Sequence, residues 1–487
     1  MSIGVIGTAG IGSGYAVRAA AGGYAVSFRA IISCIPLFLA AHILLACFDA
    51  SAAEQERPAF RMFRWEEDYR SLERHARAGL DTIKYVPLSS SMWLSLGGEA
   101  RVRIEHASRP ALGVLGSGDD TYTLQRALVH GDLHLGDRFR LFVELGAFDA
   151  TNKQIDAPPS VDQLDVQQAF VDLRIRERRD NTVVRLGRQE MAFGSQRLIG
   201  IRDGPNVRRN YDGLRITRTS GLRQLDLIAV RPVELESGVF DNKTSNREVL
   251  VGVYATDRTS TDRRLIDIYA LGYEREEAVF ANASGREKRV SLGSRFFGSE
   301  SVWDWDIEAT VQTGTIARST IFAWGLASNV GYRRSIGDVS VRAGVKVDYA
   351  SGDDKPDDQR LGTANAMFPR LPYLGSAGAF APSNLIDVHP HVELAFPQAF
   401  SVTFGYQLLW RASTSDAVYV APLIAFPASS KPSGRRTAQQ VSVDLSWRAN
   451  RHFAVDASLA HVQVTKTWRE RGAGDVSFAF VAGTYRF

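Results

Sequence analysis

Residues 93–105 read WLSLGGEARVRIE and alternate between apolar and polar side chains. In an extended strand, successive side chains point to opposite faces. One face of this stretch is apolar and includes Val102 and Ile104, whereas the other is ionic and includes Arg101 and Arg103. The stretch therefore predicts a β-strand with one apolar side and one charged side.

The same alternation recurs along the chain as far as its last residue. Further strands of this kind are predicted at 122–135, 138–145, 168–176, 289–297, 305–312, 340–349, 440–447 and 475–487. Strands of about ten residues, separated in turn by short polar turns and longer loops, are typical of outer-membrane barrels. We therefore expect an all-β protein, a transmembrane antiparallel up-and-down β-barrel of about sixteen to eighteen strands.

The lengths of the apolar runs and the regular placement of charge distinguish an outer-membrane barrel from a helical membrane protein and from a soluble β-protein. After the first 53 residues there is no apolar run long enough to span a bilayer as a helix, which excludes a helical membrane protein. A soluble sandwich or propeller is the other candidate, but it would rarely need Arg and Glu in so regular a register. The chain ends in aromatic residues at Tyr485 and Phe487, which resembles the signature read by the barrel-assembly machinery.

The cost of burying charge decides which face meets lipid. An Arg that faces lipid at the bilayer centre costs about 2–4 kcal/mol. Ten such residues would cost about 20–40 kcal/mol, more than the net stability of about 5–15 kcal/mol of a typical protein. The ionic faces must therefore line a wet interior.

Residues 1–53 are different in kind and predict a cleaved signal peptide. Arg18 and Arg29 precede an apolar run at 30–47, and small residues lead to Ala53. A retained anchor and a lipoprotein signal ending at Cys47 are the alternatives. We expect residues 54–90 to form a periplasmic lead-in segment, in the periplasm or at the barrel mouth, and residues 91–487 to form the barrel.

Charge and cysteine content agree with a secreted barrel. The chain of 487 residues has a formal net charge of +4, and only eight of its 58 basic residues are lysines. Both cysteines, Cys34 and Cys47, lie within the predicted leader, so the mature chain would contain no disulfide.

Four groups of motifs give the chain a family resemblance. They are RWEEDY at 64–69 with KYVPL at 84–88; RLGRQEMAFGSQRL at 185–198 with RDGPNVR at 202–208 and DGLR at 212–215; YASGDD at 349–354 with RLGTANAMFPR at 360–370; and NLIDVHP at 384–390 with Trp410 and Arg411. Together they resemble the alginate-export family of outer-membrane porins. The resemblance implies an eighteen-stranded monomeric barrel whose Arg-lined pore passes an anionic uronate polymer.

The predicted pore lining combines the ionic strand faces with these motifs. By resemblance, Arg188 and Arg215 face the lumen, and Arg360 and Arg370 lie in a long loop that folds over or into the pore. The predicted basic lining residues are Arg101, Arg103, Arg126, Arg140, Arg174, Arg188, Arg215, Arg295, Arg342, Lys346, Arg360, Arg370 and Arg411. The predicted acidic lining residues are Glu99, Asp132, Glu144, Asp172 and Asp348.

These residue types suit the passage of carboxylated chains. Guanidinium stays charged and binds carboxylate in a bidentate manner, so a ladder of arginines would pass a uronate from one site to the next. Interleaved carboxylates would weaken each site enough for release. Charges more than about 8 Å apart are largely screened at physiological salt, so selectivity also needs a constriction, which we assign to a loop folded inward. Alternatively, the charges only pair across strands and the pore is unselective.

Other groupings suggest weaker hypotheses. His130, Asp132 and His134 share a strand face, as do His389, His391 and Glu393, and either set resembles part of a metal or hydrolytic site. We interpret both as lumen wall.

One remaining group of residues suggests a bound metal ion. Four loop aspartates, Asp353, Asp354, Asp357 and Asp358, offer a possible Ca²⁺ site. We expect no other cofactor, no catalytic residues and no enzyme activity.

The predicted function is passive passage of anionic carboxylated saccharides, such as alginate-like uronate polymers or oligomers, across the outer membrane of a Gram-negative bacterium. The alternatives are a barrel enzyme and a non-selective porin for small organic anions. The expected partners are outer-membrane lipid, the barrel-assembly machinery and the saccharide substrate, with no nucleic acid and no second subunit.

Overall fold

Long antiparallel strands make up most of the structure, a computed structural model that describes residues 58–74, 79–155, 159–177, 180–259, 264–427 and 434–487. The predicted signal peptide lies outside the described residues. Eighteen long strands are present in the described part of the chain. They are β1 (Met92–Ser108), β2 (Asp119–Leu135), β3 (Phe139–Thr151), β4 (Asp162–Glu177), β5 (Asp180–Gln189), β6 (Tyr211–Ser220), β7 (Arg223–Glu234), β8 (Glu248–Asp257), β9 (Arg264–Val279), β10 (Ser284–Glu300), β11 (Trp303–Ile316), β12 (Ser319–Ile336), β13 (Val339–Ala350), β14 (Leu385–Phe396), β15 (Phe400–Trp410), β16 (Arg436–Arg448), β17 (Phe453–Val464) and β18 (Val476–Arg486).

Each strand pairs with its neighbour in the chain, and the first pairs with the last. Strands β1 and β18 are in register from Glu99 opposite Arg486 to Ala107 opposite Phe478. Beyond them, the Phe487 N–H donates to the Gly98 carbonyl at 3.1 Å. The sheet is therefore a closed barrel, and the predicted all-β fold is confirmed.

Short elements account for the rest of the regular structure. They comprise the α-helices α1 (Asp81–Lys84) and α2 (Lys466–Arg469), the 3-10 helices Arg64–Glu66, Arg70–Arg74 and Pro110–Gly113, and the two-residue strands Val86–Pro87, Lys243–Thr244, Arg360–Leu361, Tyr419–Val420 and Ile424–Ala425. No helix of the described residues has the length and apolar character needed to cross a membrane.

The two faces of the sheet differ as the sequence predicts. Ile268 of β9 is 59 % exposed, whereas the next residue, Tyr269, is 4 % exposed. The exposed aliphatic residues form a band around the outside, and the buried charged residues of the strands point inward. This arrangement suits a lipid-facing exterior and a polar lumen.

The connections define two ends. At one end most turns are short, and Gly221 and Gly337 take positive φ values of 58° and 57° in turns of two residues. We call this the short-turn end. The opposite end carries the long connections and is called the long-loop end. In outer-membrane barrels short turns face the periplasm and longer loops face the outside.

Two of the long connections matter for the pore. The first inward loop, 190–210, joins β5 to β6, and the second inward loop, 351–384, joins β13 to β14. The two loops pair as short parallel β-structure at Ile199 and Phe368, both of which are buried.

The lead-in segment, described at 58–74 and 79–90, contacts the inner wall near the short-turn end. Arg64 donates to the Gly98 carbonyl at 3.0 Å and to the Phe487 carbonyl at 2.9 Å. The Trp65 carbonyl accepts from Arg140 Nη2 at 2.6 Å, and the Arg185 guanidinium lies 3.7 Å from the centre of the Trp65 ring. The lead-in therefore lies inside the barrel mouth.

Candidate functional site: the lumen and its constriction

The two inward loops meet across the lumen. Besides the contact at Phe368, whose N–H donates to the Leu198 carbonyl at 2.9 Å, the Gly204 N–H donates to the Leu371 carbonyl at 3.1 Å. A Cβ added at Gly204 would lie 2.2 Å from that Leu371 oxygen, so only glycine allows the two backbones to approach so closely. The loops therefore form a continuous bar of backbone across the interior.

Asp203 ties the first inward loop to the wall. Its Oδ1 lies 2.7 Å from Arg126 Nη1 and 2.7 Å from Arg208 Nε. The Asp203 carbonyl accepts from Arg101 Nη1 at 3.0 Å. Three guanidinium groups thus surround one short acidic residue.

These neighbours determine the charge of Asp203. Desolvation inside the barrel would raise the pKa of its carboxyl group. Arg208, Arg126 and Arg101 outweigh that effect and hold the pKa well below its usual value. Asp203 is therefore an anion at any physiological pH, and the tie to the wall does not depend on protonation.

A central cavity of about 730 Å³ lies beside this bar. Its wall comes from the lead-in, both inward loops and strands β1, β12–β16 and β18. The basic residues that line it are Arg61, Arg103, Arg208, Lys346, Arg370 and Arg486, with His389 and His391. The acidic residues are Glu99, Asp203 and Asp444. The cavity wall is therefore predominantly basic.

A second cavity, of about 150 Å³, is lined partly by long-loop residues such as Pro110, Ala421 and Pro422. It shares Arg103, Gly204, Leu371, Pro372 and Ser376 with the central cavity. These five residues separate the two spaces and form the constriction. The predicted inward loop is thus found, but it is built from two loops.

Three cations of the central cavity differ in how they are held. Arg103 lies 3.8 Å from the centre of the Phe480 ring and 2.6 Å from Glu105 Oε2. Lys346 Nζ lies 3.0 Å from Asp348 Oδ2 and donates to the Tyr373 carbonyl at 3.3 Å. Arg370 is exposed to the cavity and forms no ion pair with any residue in the described ranges.

The predicted lining residues fall into several groups. Arg103, Lys346, Arg370 and Glu99 line the central cavity. Arg140, Arg174, Arg215 and Asp172 line a cavity of about 390 Å³ near the short-turn end, together with Trp65 of the lead-in. Arg101, Arg126, Arg188, Arg295, Arg342, Asp132, Glu144 and Asp348 lie on the inner side of the wall, in ion pairs or hydrogen bonds.

Most of the inner arginines are paired. The Arg140–Asp132, Arg215–Asp226 and Arg188–Asp212 distances are 2.6, 2.9 and 2.9 Å. Arg295 reaches Asp306 at 2.8 Å, and Arg342 reaches Asp304 at 2.8 Å. These pairs neutralise much of the predicted ladder, so the free positive charge is concentrated near the constriction.

Two predicted lining residues lie elsewhere. Arg360 sits with its guanidinium 4.7 Å from the centre of the Phe322 ring, and Phe322 is one of the outward-facing aromatic residues. Arg411 is fully buried among the long connections, where it donates to the Thr414 and Gly434 carbonyls. Both placements correct the expectation that these residues line the pore, because their motifs continue past the strand ends into loops that turn away from the lumen.

The histidine pairs are part of the wall. His130 is buried and stacks on Phe142, and His134 stacks on Trp93 with ring centres 3.8 Å apart. His391 Nε2 lies 2.7 Å from Arg342 Nη1. Within the ranges that the structure describes, no three or more His, Cys, Asp or Glu residues are grouped as a metal site.

The four loop aspartates proposed for Ca²⁺ differ in their exposure to solvent. Asp353 is buried, and its Oδ2 accepts from Asn282 at 2.9 Å. Asp354, Asp357 and Asp358 are exposed, and the Asp358 carboxylate accepts from the Arg360 N–H.

Several important residues were not predicted. Arg208 and Arg486 contact Glu99, and Tyr373 lies 4.3 Å from Lys346. Arg208 closes a motif that carries the family resemblance, which is the signal that was available. Tyr373 and the lead-in residue Arg61 have no strand alternation around them, so no periodic pattern marks them.

Comparison with known proteins identifies the family. The family model described as alginate export matches residues 92–482, which includes every barrel strand for most or all of its length. The chain belongs to the alginate export family.

Solved structures similar to this alginate export family member are outer-membrane porins at low identity. OccAB1 of Acinetobacter baumannii has 11 % identity and a TM-score of 0.53, with 80 % of this chain and 96 % of that chain covered. OccK9 (OpdG) of Pseudomonas aeruginosa has 14 % identity and a TM-score of 0.52, with 81 % and 98 % covered. The outer membrane protein opdK from Pseudomonas aeruginosa has 10 % identity and a TM-score of 0.51, with 81 % and 99 % covered.

These structural similarities show a shared fold alone. No curated protein matches the chain. The family membership and the closed barrel together make this alginate export family member an outer-membrane porin.

Proposed function

We propose that this porin gives passive passage to anionic carboxylated saccharides, such as alginate-like uronate oligomers or polymers, across the outer membrane of a Gram-negative bacterium. The observation that carries the proposal is the unpaired guanidinium of Arg370 at the constriction, beside Lys346 and Arg103 in a cavity of about 730 Å³. Guanidinium binds carboxylate through two parallel hydrogen bonds. A uronate chain would therefore meet its strongest attraction where the lumen is narrowest.

The neighbouring side chains support a saccharide rather than a small inorganic anion. The Phe480 ring lies beside the cations in the cavity wall, and Thr403, Ser442 and Asn329 offer hydroxyl and amide groups. Sugar rings have apolar faces and hydroxyl rims, and this wall supplies partners for both. Glu99 and Asp444 keep the field moderate, which favours release.

We further propose that the porin acts as a monomer without enzyme activity. The closed wall has its apolar side chains outward, toward lipid, and the histidines at 130 and 134 are occupied by aromatic stacking. The barrel-assembly machinery would insert the chain, consistent with the aromatic residues at its end. A porin with little ion preference is the second candidate, because most inner arginines are paired.

Single-channel recording in planar bilayers tests the proposal. In a salt gradient the wild-type reversal potential should show anion preference, and uronate oligomers should block the current at lower concentrations than neutral oligomers of equal length. Arg370→Gln with Lys346→Gln should weaken the block by about tenfold, since each charged hydrogen bond contributes about 1.5–3 kcal/mol when fully desolvated and less in a wet pore.

The control is Arg218→Gln, an exposed residue paired with Asp180 on the outer face of the barrel, which should leave the block unchanged. Cation preference, or equal block by neutral and charged oligomers, would reject the proposal. Ohmic conductance without ion preference would favour the second candidate.

A further inference from the structure

The outer surface near the long-loop end carries a row of charged residues. The cross-strand register runs from Glu274 of β9 to Lys288 of β10, then through Thr315 and Thr320 to Arg360. These residues share one level of the barrel. Lys288 is on the same face as Val290 and Leu292, which are 43 % and 51 % exposed, so the row faces outward.

Further cations lie beside the row. Arg286 is two residues from Lys288 on the same face, and its side chain is 61 % exposed. Arg286 and Lys288 both contact the Glu274 carboxylate, and Arg231 of β7 interacts with it electrostatically from the other side. We call Arg231, Arg286, Lys288 and Arg360 the outer cationic row.

In the outer cationic row, the cations outnumber the carboxylates that they contact. Three of its cations share the single carboxylate of Glu274. Among the described residues, Arg360 contacts acid only through its backbone N–H, which donates to Asp358, while its guanidinium lies over Phe322.

At the opposite end of the barrel, the positive charges of exposed arginines are balanced by acidic partners. Exposed Arg218, Arg223 and Arg264 each have an acidic partner of their own, namely Asp180, Asp257 and Glu300. The excess of positive charge is therefore a property of the outer cationic row rather than of exposed arginines in general.

The height of the row matches a membrane boundary. Within β10, the residues from Lys288 to Gly298 extend from the row toward the short-turn end, where Gly298 pairs with Trp305. Ten residues of strand at about 3.3 Å each, tilted by about 40°, rise about 25 Å, the height of the apolar band of an outer-membrane barrel. Aromatic residues Phe296 and Trp305 stack at the lower boundary. The row thus lies at the upper boundary, in the plane of the outer-leaflet headgroups.

We propose that the outer cationic row binds the phosphate groups on the saccharide headgroup of an outer-leaflet glycolipid. Three strand spacings of about 4.8 Å separate Lys288 from Arg360, so the row spans about 14 Å and would engage more than one phosphate. The acyl chains would then lie against Val290, Leu292 and Phe322 directly below. Arg and Lys both bind phosphate, and a cation near an anionic lipid surface strengthens binding about fivefold.

The test uses the full mature protein in nanodiscs with three lipids offered separately: diphosphorylated lipid A, its dephosphorylated form, and phosphatidylglycerol. Lipid retained by the protein is measured by native mass spectrometry. The variant combines Arg286→Glu, Lys288→Glu and Arg360→Glu. The matched control combines Arg218→Glu, Arg223→Glu and Arg264→Glu at the opposite end.

The wild type and the control should retain diphosphorylated lipid A, and the row variant should retain it at least about tenfold less well, given about fivefold per cation. Dephosphorylated lipid A should bind the wild type as weakly as diphosphorylated lipid A binds the row variant. Equal retention by the row variant and the control, or phosphatidylglycerol binding as tightly as lipid A, would overturn the proposal. Unchanged heat-modifiable migration and conductance of the row variant show that it has folded.

Discussion

Asp203 shows how one residue sets the width of the pore. Three arginines hold this residue, namely Arg101, Arg126 and Arg208. Removing one partner from a buried ion pair is costly because the remaining charges stay desolvated. Around Asp203 the loop is therefore held by charge, in addition to the apolar packing of residues such as Ile199 and Val207.

Asp203→Asn should loosen the first inward loop and remove one of the two carboxylates that Arg126 and Arg208 share, the other being Glu99. Because the Asp203 side chain is about half exposed, we expect a loss of about 1–3 kcal/mol of unfolding free energy at this tie, together with higher single-channel conductance and stronger anion preference. Bilayer recording and denaturant unfolding measure these effects. Asp180→Asn, which removes an exposed acid outside the lumen, should change neither. Unchanged conductance in Asp203→Asn would show that the loop is held by other contacts.

Lys84 is a second residue whose environment makes a prediction. It is a buried residue of the lead-in, its Nζ lies between the Phe60 and Tyr69 rings, and this atom has no hydrogen-bond partner among the described residues. Burial, with Arg64 nearby, lowers the pKa of Lys84 from 10.5 to about 7. An undocked lead-in would return the pKa to its usual value.

The lead-in should therefore bind less tightly as the pH falls. Between pH 10.5 and about 7 the undocked state holds a proton that the docked state lacks, so docking weakens with falling pH and is weakest below pH 7. The whole effect is on the order of a few kcal/mol. Limited proteolysis of the lead-in across this range measures it. Lys84→Met should abolish the dependence, and a dependence that persists would assign it to other groups.

At the scale of elements, the constriction depends on the junction between two loops. The contact at Gly204 leaves no room for a side chain, because the added Cβ would also lie 2.6 Å from Pro372 Cδ. The two loops reinforce each other, since neither has a long regular element of its own. A change at this junction is therefore expected to have a direct effect on the width of the pore.

Gly204→Ala should push the two loops apart and raise single-channel conductance. The backbone oxygen of Leu371 cannot move away without breaking its hydrogen bond to residue 204. The control is Gly118→Ala, because a Cβ at Gly118 meets no atom within 4 Å. Conductance equal to that of the control would mean that the junction yields without opening the pore.

The strands were predictable and the loops were not. Alternation at 93–105 marks β1 because lipid and water meet opposite faces of the same strand. Apolar and polar residues therefore alternate along it. The inward loops have no such contrast, since buried and exposed residues in 190–210 and 351–384 do not alternate. Their motifs therefore indicated a family without indicating which side chains enter the lumen, and Arg360 and Arg411 were misplaced for that reason.

At the scale of the whole molecule, the lead-in links the two ends of the barrel wall from the inside. Arg64 is buried, pairs with Glu67 at 2.7 Å, and donates to carbonyls at the β1 and β18 ends. The hydrogen-bonded seam between the first and last strands thus has an internal support. Periodicity could not predict this, because the lead-in has no alternating pattern.

Arg64→Ala should weaken the seam. The change leaves Glu67 buried beside Tyr69 without its cation, which we expect to lower the unfolding free energy by about 3–5 kcal/mol. Denaturant unfolding in detergent measures the loss. Arg70→Ala, which removes an exposed arginine paired only with Asp68, should have an effect within about 0.5 kcal/mol. Equal stability of the two variants would contradict an internal support.

The Arg64 contact to Phe487 also constrains the order of events in biogenesis. The two carbonyls that Arg64 binds, those of Gly98 and Phe487, lie on opposite sides of the seam between β1 and β18, so the site for the lead-in is incomplete until that seam has closed. The mouth must consequently stay unobstructed while strands are being added, and it narrows only as the last step of maturation.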